Sequence, residues 1–326
     1  MKQKILELLK EQEDYLSGQM ISEKLHVSRT AVWKAIKQLK EEGYVIDSVN
    51  NRGYRLVEAA DVMNEAEVVS QLATNWLGRP LRYFDEIDST NEYLKREAAG
   101  GLIHGTVALA NEQTAGKGRL GRSWSSPTGS SIYISYLLRP DIAPIHASML
   151  TIVAALATAR AIEDTTGLNA GIKWPNDIVV NKHKVCGILT EMSSDMDRIQ
   201  YVIVGIGVNV NMTEFPEEIK ETATSLRLET GEVVRRVPLV AKMLSCFEHY
   251  YELFLKTEDL SGLLADYNAH LVNKGKQVRI VERTGEWTAI AEEMDEKGEL
   301  VVTLPDGTKK NIISGEVSVR GLYGYV

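Results

Sequence analysis

The sequence predicts an α+β chain of several domains: a winged helix-turn-helix head, a central mixed β-sheet with helices, and a small β-barrel tail. Three observations carry that prediction. Helix-period segments give way after Gly43 to two period-2 segments around a turn. Between residues 65 and 271, strand patterns outnumber helical ones without regular alternation. Beyond 272, short strands are separated only by turn signals. The expected boundaries are 1–60, 65–271 and 272–326, and a chain of 326 residues is longer than a typical single domain.

In the head, Ile5, Leu8 and Leu9 form one face of a first helix, which Ser17-Gly18 ends. A short helix spans Met20 to His26. Ser28 is placed to cap a third, which runs to about Glu42 and stops at Gly43, where glycine suits a left-handed cap. On this helix Val32, Ile36 and Leu39 share a face, and Arg29, Lys37 and Lys40 lie elsewhere. Tyr44–Val49 and Gly53–Val57 are predicted strands about the turn 50–53. Three helices followed by a hairpin describe a winged helix, whose third helix enters the major groove N-terminus first. Ser28, Arg29, Thr30, Trp33, Lys34 and Lys37 are then candidate DNA contacts, with Arg52 at the hairpin tip. A protein-interaction domain with a solvated basic face is the plainer alternative, and Trp33 could equally close the core. The net charge of −8 argues against nucleic acid until its distribution is read. Residues 1–60 carry ten Lys/Arg and nine Asp/Glu, a sum of +1, so the remainder carries −9. Val27 to Lys40 holds four cations and no acid. A short linker around residues 57–64 follows.

In the central segment, helices are expected at Glu65–Trp76, Thr90–Ala99, Ala147–Thr166 and Val237–Leu255. Strands are expected at Gly105–Ala110, Ser131–Leu138, Ile178–Val180, Val185–Glu191 and Ile199–Val210, with the helices on one side of the sheet. Four motifs carry chemistry. In Gln113-Thr-Ala-Gly-Lys-Gly-Arg-Leu-Gly-Arg-Ser-Trp124, three glycines and three cations fall between Gly116 and Arg122, a loop suited to a phosphate or acyl-phosphate. It is not a P-loop: Arg122 stands at the lysine position and no helix follows. Lys173-Trp-Pro-Asn-Asp177 turns the chain and displays Asp177. Lys184 then opens an apolar strand, where a lysine is costly unless it serves an anion. Asp177 could instead cap the turn, and Lys184 could guard a strand edge. Asp88-Ser-Thr-Asn-Glu92 fits a capping box through Ser89 and Glu92. Val204-Gly-Ile-Gly-Val-Asn-Val-Asn211 lacks the third glycine of a dinucleotide fingerprint and fits a strand that a ligand approaches closely.

In the tail, 276–281, 287–294, 299–304, 308–313 and 316–319 are predicted strands of an SH3-like barrel. The most apolar stretch, Ala147 to Ala161, contains Ser and Thr and ends around Arg160, so it is expected as a core helix and not a membrane span. Two cysteines, Cys186 and Cys246, form no zinc spacing and point to a reducing cytoplasm. The scattered histidines offer no metal cage.

These four motifs, in this order and behind a winged-helix head, resemble the bifunctional biotin–protein ligases that also act as biotin operon repressors. The resemblance covers almost the whole chain. It implies a class II synthetase-like central fold, with ATP and biotin as substrates and Mg2+ as the metal. It also implies three partners: the biotin carboxyl carrier domain of a carboxylase, operator DNA, and a second copy in a homodimer promoted by biotinyl-AMP. By resemblance, Ser89, Thr90, Asn91 and Gln113 would hold the biotin head group, beside Gly187 and Gly205. Lys117, Gly118 and Arg119 would close over the adenylate. Lys184 would sit between the biotin carboxylate and the α-phosphate. Arg122 would contact phosphate, Asn176, Asp177 and Asn209 would face nucleotide and magnesium, and Arg320 would reach in from the tail. Lys184, Arg119 and Asp177 would be catalytic, Asp177 as base or magnesium ligand. Two positions depart from the family pattern. Lys117 replaces an arginine, losing its planar two-pronged donor. Residues 212–228 lack the tryptophan that stacks on adenine in some relatives, leaving Phe215 as the aromatic there. A lipoate or octanoyl ligase shares the catalytic fold, and a ligand-sensing transcription factor without catalysis is the alternative of another class.

Overall fold

The computed structural model describes all residues except 13, 42–43, 50–51, 59–60, 62, 196–197, 283–284, 314–317 and 322–324. The expected cap at Gly43, the tip Asn50–Asn51, linker residues 59, 60 and 62, and the predicted strand start at 316 lie outside the described residues. The chain divides into two compact units, Met1–Met63 and Asn64–Val326.

In the first unit, α1 (Lys2–Lys10), α2 (Gly18–Leu25) and α3 (Arg29–Glu41) precede the hairpin β1 (Val45–Val49) and β2 (Gly53–Glu58). Ile5, Leu9, Ile21, Val32, Ile36 and Leu39 form the core. Ser17 and Ser28 cap α2 and α3, each accepting a backbone N–H at 3.1 Å. Gly53 has φ +111°, and a Cβ there would stand 2.1 Å from the Leu16 carbonyl oxygen, so only glycine lets β2 pair with Leu16. Trp33 is 55% exposed, so it does not close the core.

The second unit begins with α4 (Glu65–Gln71), capped by Asn64. The periodic pattern continues to Trp76, but the helix stops five residues earlier, where Leu72 turns extended, and the N–H groups of residues 75–77 go elsewhere. The buried Glu248 carboxylate accepts from the backbone of Asn75 (2.7 Å), Trp76 (3.0 Å) and Leu77 (2.9 Å). Glu248→Ala leaves three donors unpaired and should destabilise this unit by about 3 kcal/mol; an unchanged thermal midpoint would contradict that role.

A seven-stranded mixed sheet follows, built from β3 (Leu81–Phe84), β4 (Val107–Ala110), β5 (Ile132–Leu138), β6 (Gly171–Lys173), β7 (Asp177–Val180), β8 (His183–Asp195) and β9 (Arg198–Val208). Its order is β3-β4-β5-β9-β8-β7-β6, and only β3–β4 is parallel. Helices α5 (Thr90–Ala98), α6 (Met149–Thr166), α7 (Leu226–Thr230), α8 (Arg236–Thr257) and α9 (Leu264–His270) accompany it.

The expectation of helices on one side needs correction. Successive residues of a strand point to opposite faces. Tyr136 of β5 packs its ring, tilted by 58°, against Phe247 of α8, and Thr190 of β8 bonds Thr151 of α6. The neighbouring Ser135 bonds Asn91 at the start of α5. So α6 and α8 cover one face and α5 the other, and the site is built on the α5 face. Helix α6 is buried along nearly its whole length, consistent with its even apolarity.

The tail is a five-stranded antiparallel sheet of β10 (Gln277–Glu282), β11 (Gly285–Met294), β12 (Leu300–Thr303), β13 (Lys309–Ile312) and β14 (Ser318–Gly321), in the order β13-β12-β11-β10-β14. Trp174, 1% exposed, joins it to the central sheet. Its indole N–H donates to the Gly298 carbonyl at 3.0 Å, and its backbone N–H donates to Asn273 at 2.9 Å.

Candidate active site

Two adjoining cavities open on the α5 face. The first is a slot lined by Ser89, Thr90 and Asn91 from α5 and its cap, Gln113 and Lys117–Arg119 from the loop, Lys184 and Gly187 from β8, and Gly205 from β9. All ten residues expected around biotin meet there. The second, a cleft of about 660 Å³, is lined by Arg119, Arg122, Asn176, Asp177, Asn209 and Arg320, the whole expected nucleotide set. Arg119, Asn176 and Lys184 line both cavities.

Glycines make the slot possible. A Cβ on Gly205 would stand 2.1 Å from Asn91 Oδ1. Cβ atoms on Gly187 and Gly207 would meet the Trp124 ring at 2.8 and 2.5 Å. The indole thus lies flat against β8 and β9, and its buried N–H has no partner among the described residues.

The floor is a chain of hydrogen bonds. Thr90 donates through its backbone N–H (2.9 Å) and hydroxyl (3.1 Å) to Gln113 Oε1. The Ser135 hydroxyl lies 2.7 Å from Thr90 Oγ1 and 2.5 Å from Asn91 Oδ1. The Asn91 amide donates to Glu191 at 2.8 Å, and Lys95 pairs with the other Glu191 oxygen at 2.5 Å. The expected capping box does not form. Ser89 occupies the N-cap but makes no cap bond. The Ser89 N–H goes to Asp88 Oδ1 at 2.7 Å, and Glu92 pairs with Lys95 (2.9 Å) and Lys117 (2.8 Å).

The glycine-cation loop folds back on itself through the Lys117–Ser123 bridge and the Gly118 N–H to Arg122 carbonyl bond of 2.7 Å. Arg119 donates to Asn176 Oδ1 at 2.5 Å. Burial lowers the pKa of its guanidinium, and no carboxylate pairs with it among the described residues. Lys184 Nζ lies 2.6 Å from Asp177 Oδ1, which also accepts from the Asn176 amide at 3.1 Å. Tyr325 OH donates to the other Asp177 oxygen. Lys173, 6% exposed, has its pKa pushed down to about 8, mainly by burial and further by Lys184, Arg320 and Arg122, with Asp177 opposing the shift. Trp124, Ser135, Glu191, Lys173 and Tyr325 were not anticipated as site residues. Trp124, Lys173 and Glu191 stand inside segments that signal the site, whereas Ser135 and Tyr325 have no local pattern.

In the head, Ser28, Arg29, Thr30, Trp33, Lys34 and Lys37 are all exposed, opposite the buried Val32, Ile36 and Leu39. Arg52 lies 4.8 Å over the Tyr15 ring and 4.0 Å from Asp14.

Comparison with known proteins agrees with this geometry. The Biotin/lipoate A/B protein ligase family model matches residues 83–209, an HTH domain model residues 2–55, and a biotin protein ligase C-terminal domain model residues 275–320. Bifunctional ligase/repressor BirA of Bacillus subtilis (strain 168) is 37% identical over 308 residues, 94% of each chain. The chain belongs to the bifunctional biotin–protein ligase/repressor family. The Escherichia coli (strain K12) protein of the same description is 30% identical over 94% of each chain. Biotin protein ligase from Aquifex aeolicus, solved with biotin and ATP, matches with TM-score 0.65 and 34% identity, over 74% of this chain and 98% of that one. As a member of this family the chain is a biotin ligase with a repressor's DNA-binding head.

Proposed function

We propose that biotin occupies the slot and ATP the cleft, so that the carboxylate meets the α-phosphorus where the two cavities join. The observation that carries this is the position of Lys184 and Arg119, which line both cavities. A carboxylate does not acylate an amine at neutral pH, because its leaving group would be oxide. Attack on the α-phosphorus gives biotinyl-5′-adenylate and pyrophosphate, but it drives one anion against another. Preorganised cations at that point reduce the repulsion and stabilise the charge that builds up. Arg119 has no carboxylate partner among the described residues, so its charge is available to the adenylate. Asp177, weighed from sequence as a base, is committed to Lys184, Asn176 and Tyr325, and its part is to hold the Lys184 ammonium at the junction.

Met212, Phe215, Ile219 and Ala223 form an apolar wall of the cleft that would take adenine in place of the tryptophan. Magnesium would arrive with the triphosphate: no group of three His, Cys, Asp or Glu suited to a metal occurs among the described residues. One carboxylate plus substrate phosphates is how this ion commonly binds. Asn209 would hold it with the Asp177 oxygen that Tyr325 covers, the other oxygen staying with Lys184, and it would neutralise phosphate charge. The closed loop keeps water from the anhydride until the lysine of a biotin carboxyl carrier domain attacks. Isotope exchange between ATP and pyrophosphate should therefore require biotin; exchange without it, or none with it, would contradict the reading.

The same loop ordering offers a route to regulation. If the closed loop completes a surface between two copies, the adenylate raises the dimer population and pairs two heads on a palindromic operator. Sedimentation with and without the adenylate tests this; no change in association would refute it. On DNA, Arg29→Ala should weaken binding across sequences and reduce the salt slope by about 1. An unchanged slope would remove Arg29 from the phosphate contacts. The two cysteines are unpaired, Cys186 buried and Cys246 half-buried, which supports a reducing, cytoplasmic setting.

A further inference from the structure

Lys173 has surroundings that a structural lysine lacks. It is 6% exposed, yet no carboxylate lies within ion-pair distance of it among the described residues. Its charged neighbours are Asp177, opposite it in the β6–β7 pair, and three cations: Lys184, Arg320 and Arg122. The one carboxylate is already shared by Lys184, Asn176 and Tyr325. A buried cation in a net positive pocket is costly unless an anion is to be bound there.

What covers it is the ring of Tyr325, its centroid 3.5 Å from Nζ. The same tyrosine's hydroxyl covers Asp177 Oδ2, so one side chain from beyond β14 masks both groups. An aromatic face at 3.5 Å and a phosphate oxygen cannot both occupy that side of the ammonium. Lys173, Arg122, Arg320 and Tyr325 line the cleft but not the slot, whereas Lys184 and Arg119 line both. Lys173 therefore stands on the side of Asp177 away from biotin, where the end of a triphosphate would extend.

We propose that Tyr325 is a resident cap over Lys173 and Asp177 Oδ2, which the phosphates of an incoming nucleotide displace. The cap shields a buried cation by cation–π contact while no anion is present, and it adds a competitive step to nucleotide entry. The proposal rests on the reading of the cleft as the ATP site.

Isothermal titration of the full chain with inorganic pyrophosphate, AMP and biotin, each alone, tests it without turnover. Lys173→Met should weaken pyrophosphate about tenfold or more, with AMP and biotin affinities unchanged. Tyr325→Ala should tighten pyrophosphate several-fold, and Tyr325→Phe, which keeps the ring but frees Asp177, should stay closer to the parent. Normal pyrophosphate affinity in Lys173→Met would mean that phosphate never reaches the masked ammonium, and overturns the cap. Weaker pyrophosphate binding in Tyr325→Ala makes the tyrosine a wall of the site and overturns the cap. If Lys173→Met loses biotin affinity through misfolding, Lys173→Gln and the tyrosine variants decide by the same criteria. Failure of the parent chain to bind AMP would instead sink the ATP-site reading itself.

Discussion

Lys184→Ala should nearly abolish biotin-dependent ATP–pyrophosphate exchange, by about 10²–10³-fold, the usual cost of one preorganised charge-stabilising donor. The fold should survive. Lys184 is only partly buried, its backbone N–H bonds the Thr222 carbonyl, and Asp177 keeps the Asn176 and Tyr325 donors after the change. Biotin binding should fall much less than the exchange rate, because Thr90, Asn91 and Gln113, which we propose hold the ring, are untouched. A variant with ordinary exchange and a normal thermal midpoint would remove Lys184 from the chemistry. Lys184→Arg retains charge but cannot reproduce a compact ammonium between Asp177 and the Trp124 ring, 5.3 Å away, so rescue should be partial.

Gly205→Ala should cost biotin affinity about 10²-fold, corresponding to roughly 2.7 kcal/mol. The new methyl would sit 2.1 Å from Asn91 Oδ1. Asn91 cannot yield cheaply, since Ser135 holds its carbonyl and Glu191 its amide. The strain must move α5 or turn Asn91 into the slot, leaving the Glu191 carboxylate short of a donor. Titration with biotin reads the effect. Affinity within twofold of the parent would mean that the slot is not where biotin binds. Gly262, whose Cβ would meet nothing within 4 Å and whose φ is not left-handed, provides a control position outside the slot.

The head and the four motifs were legible because each has a short-range cause. Ser28 caps a helix whose apolar period is unbroken, and the loop glycines and cations fall within seven residues, Gly116 to Arg122. The motifs converge because β5, β8 and β9 are adjacent in the sheet and α5 covers that face. What stayed hidden depends on long-range partners. Glu191 is an ordinary strand acid until Asn91 and Lys95, 100 and 96 positions away, are brought to it. Tyr325 reaches Asp177 across 148 positions. Glu248 takes the N–H groups of residues 75–77, more than 170 positions upstream. The capping-box pattern at Ser89 failed because both of its parts are taken: the Asp88 carboxylate accepts the Ser89 N–H, and Lys95 and Lys117 hold the Glu92 carboxylate.

The central claim is that these cations gather around an activated biotin and release it only to an amine. Intact mass spectrometry of a biotin carboxyl carrier domain tests it most directly, after incubation with this chain, ATP and equal amounts of biotin, lipoate and octanoate. A single biotinyl addition that depends on ATP and on Lys184 is the predicted result. A lipoyl or octanoyl addition, or an unmodified carrier domain, would contradict it.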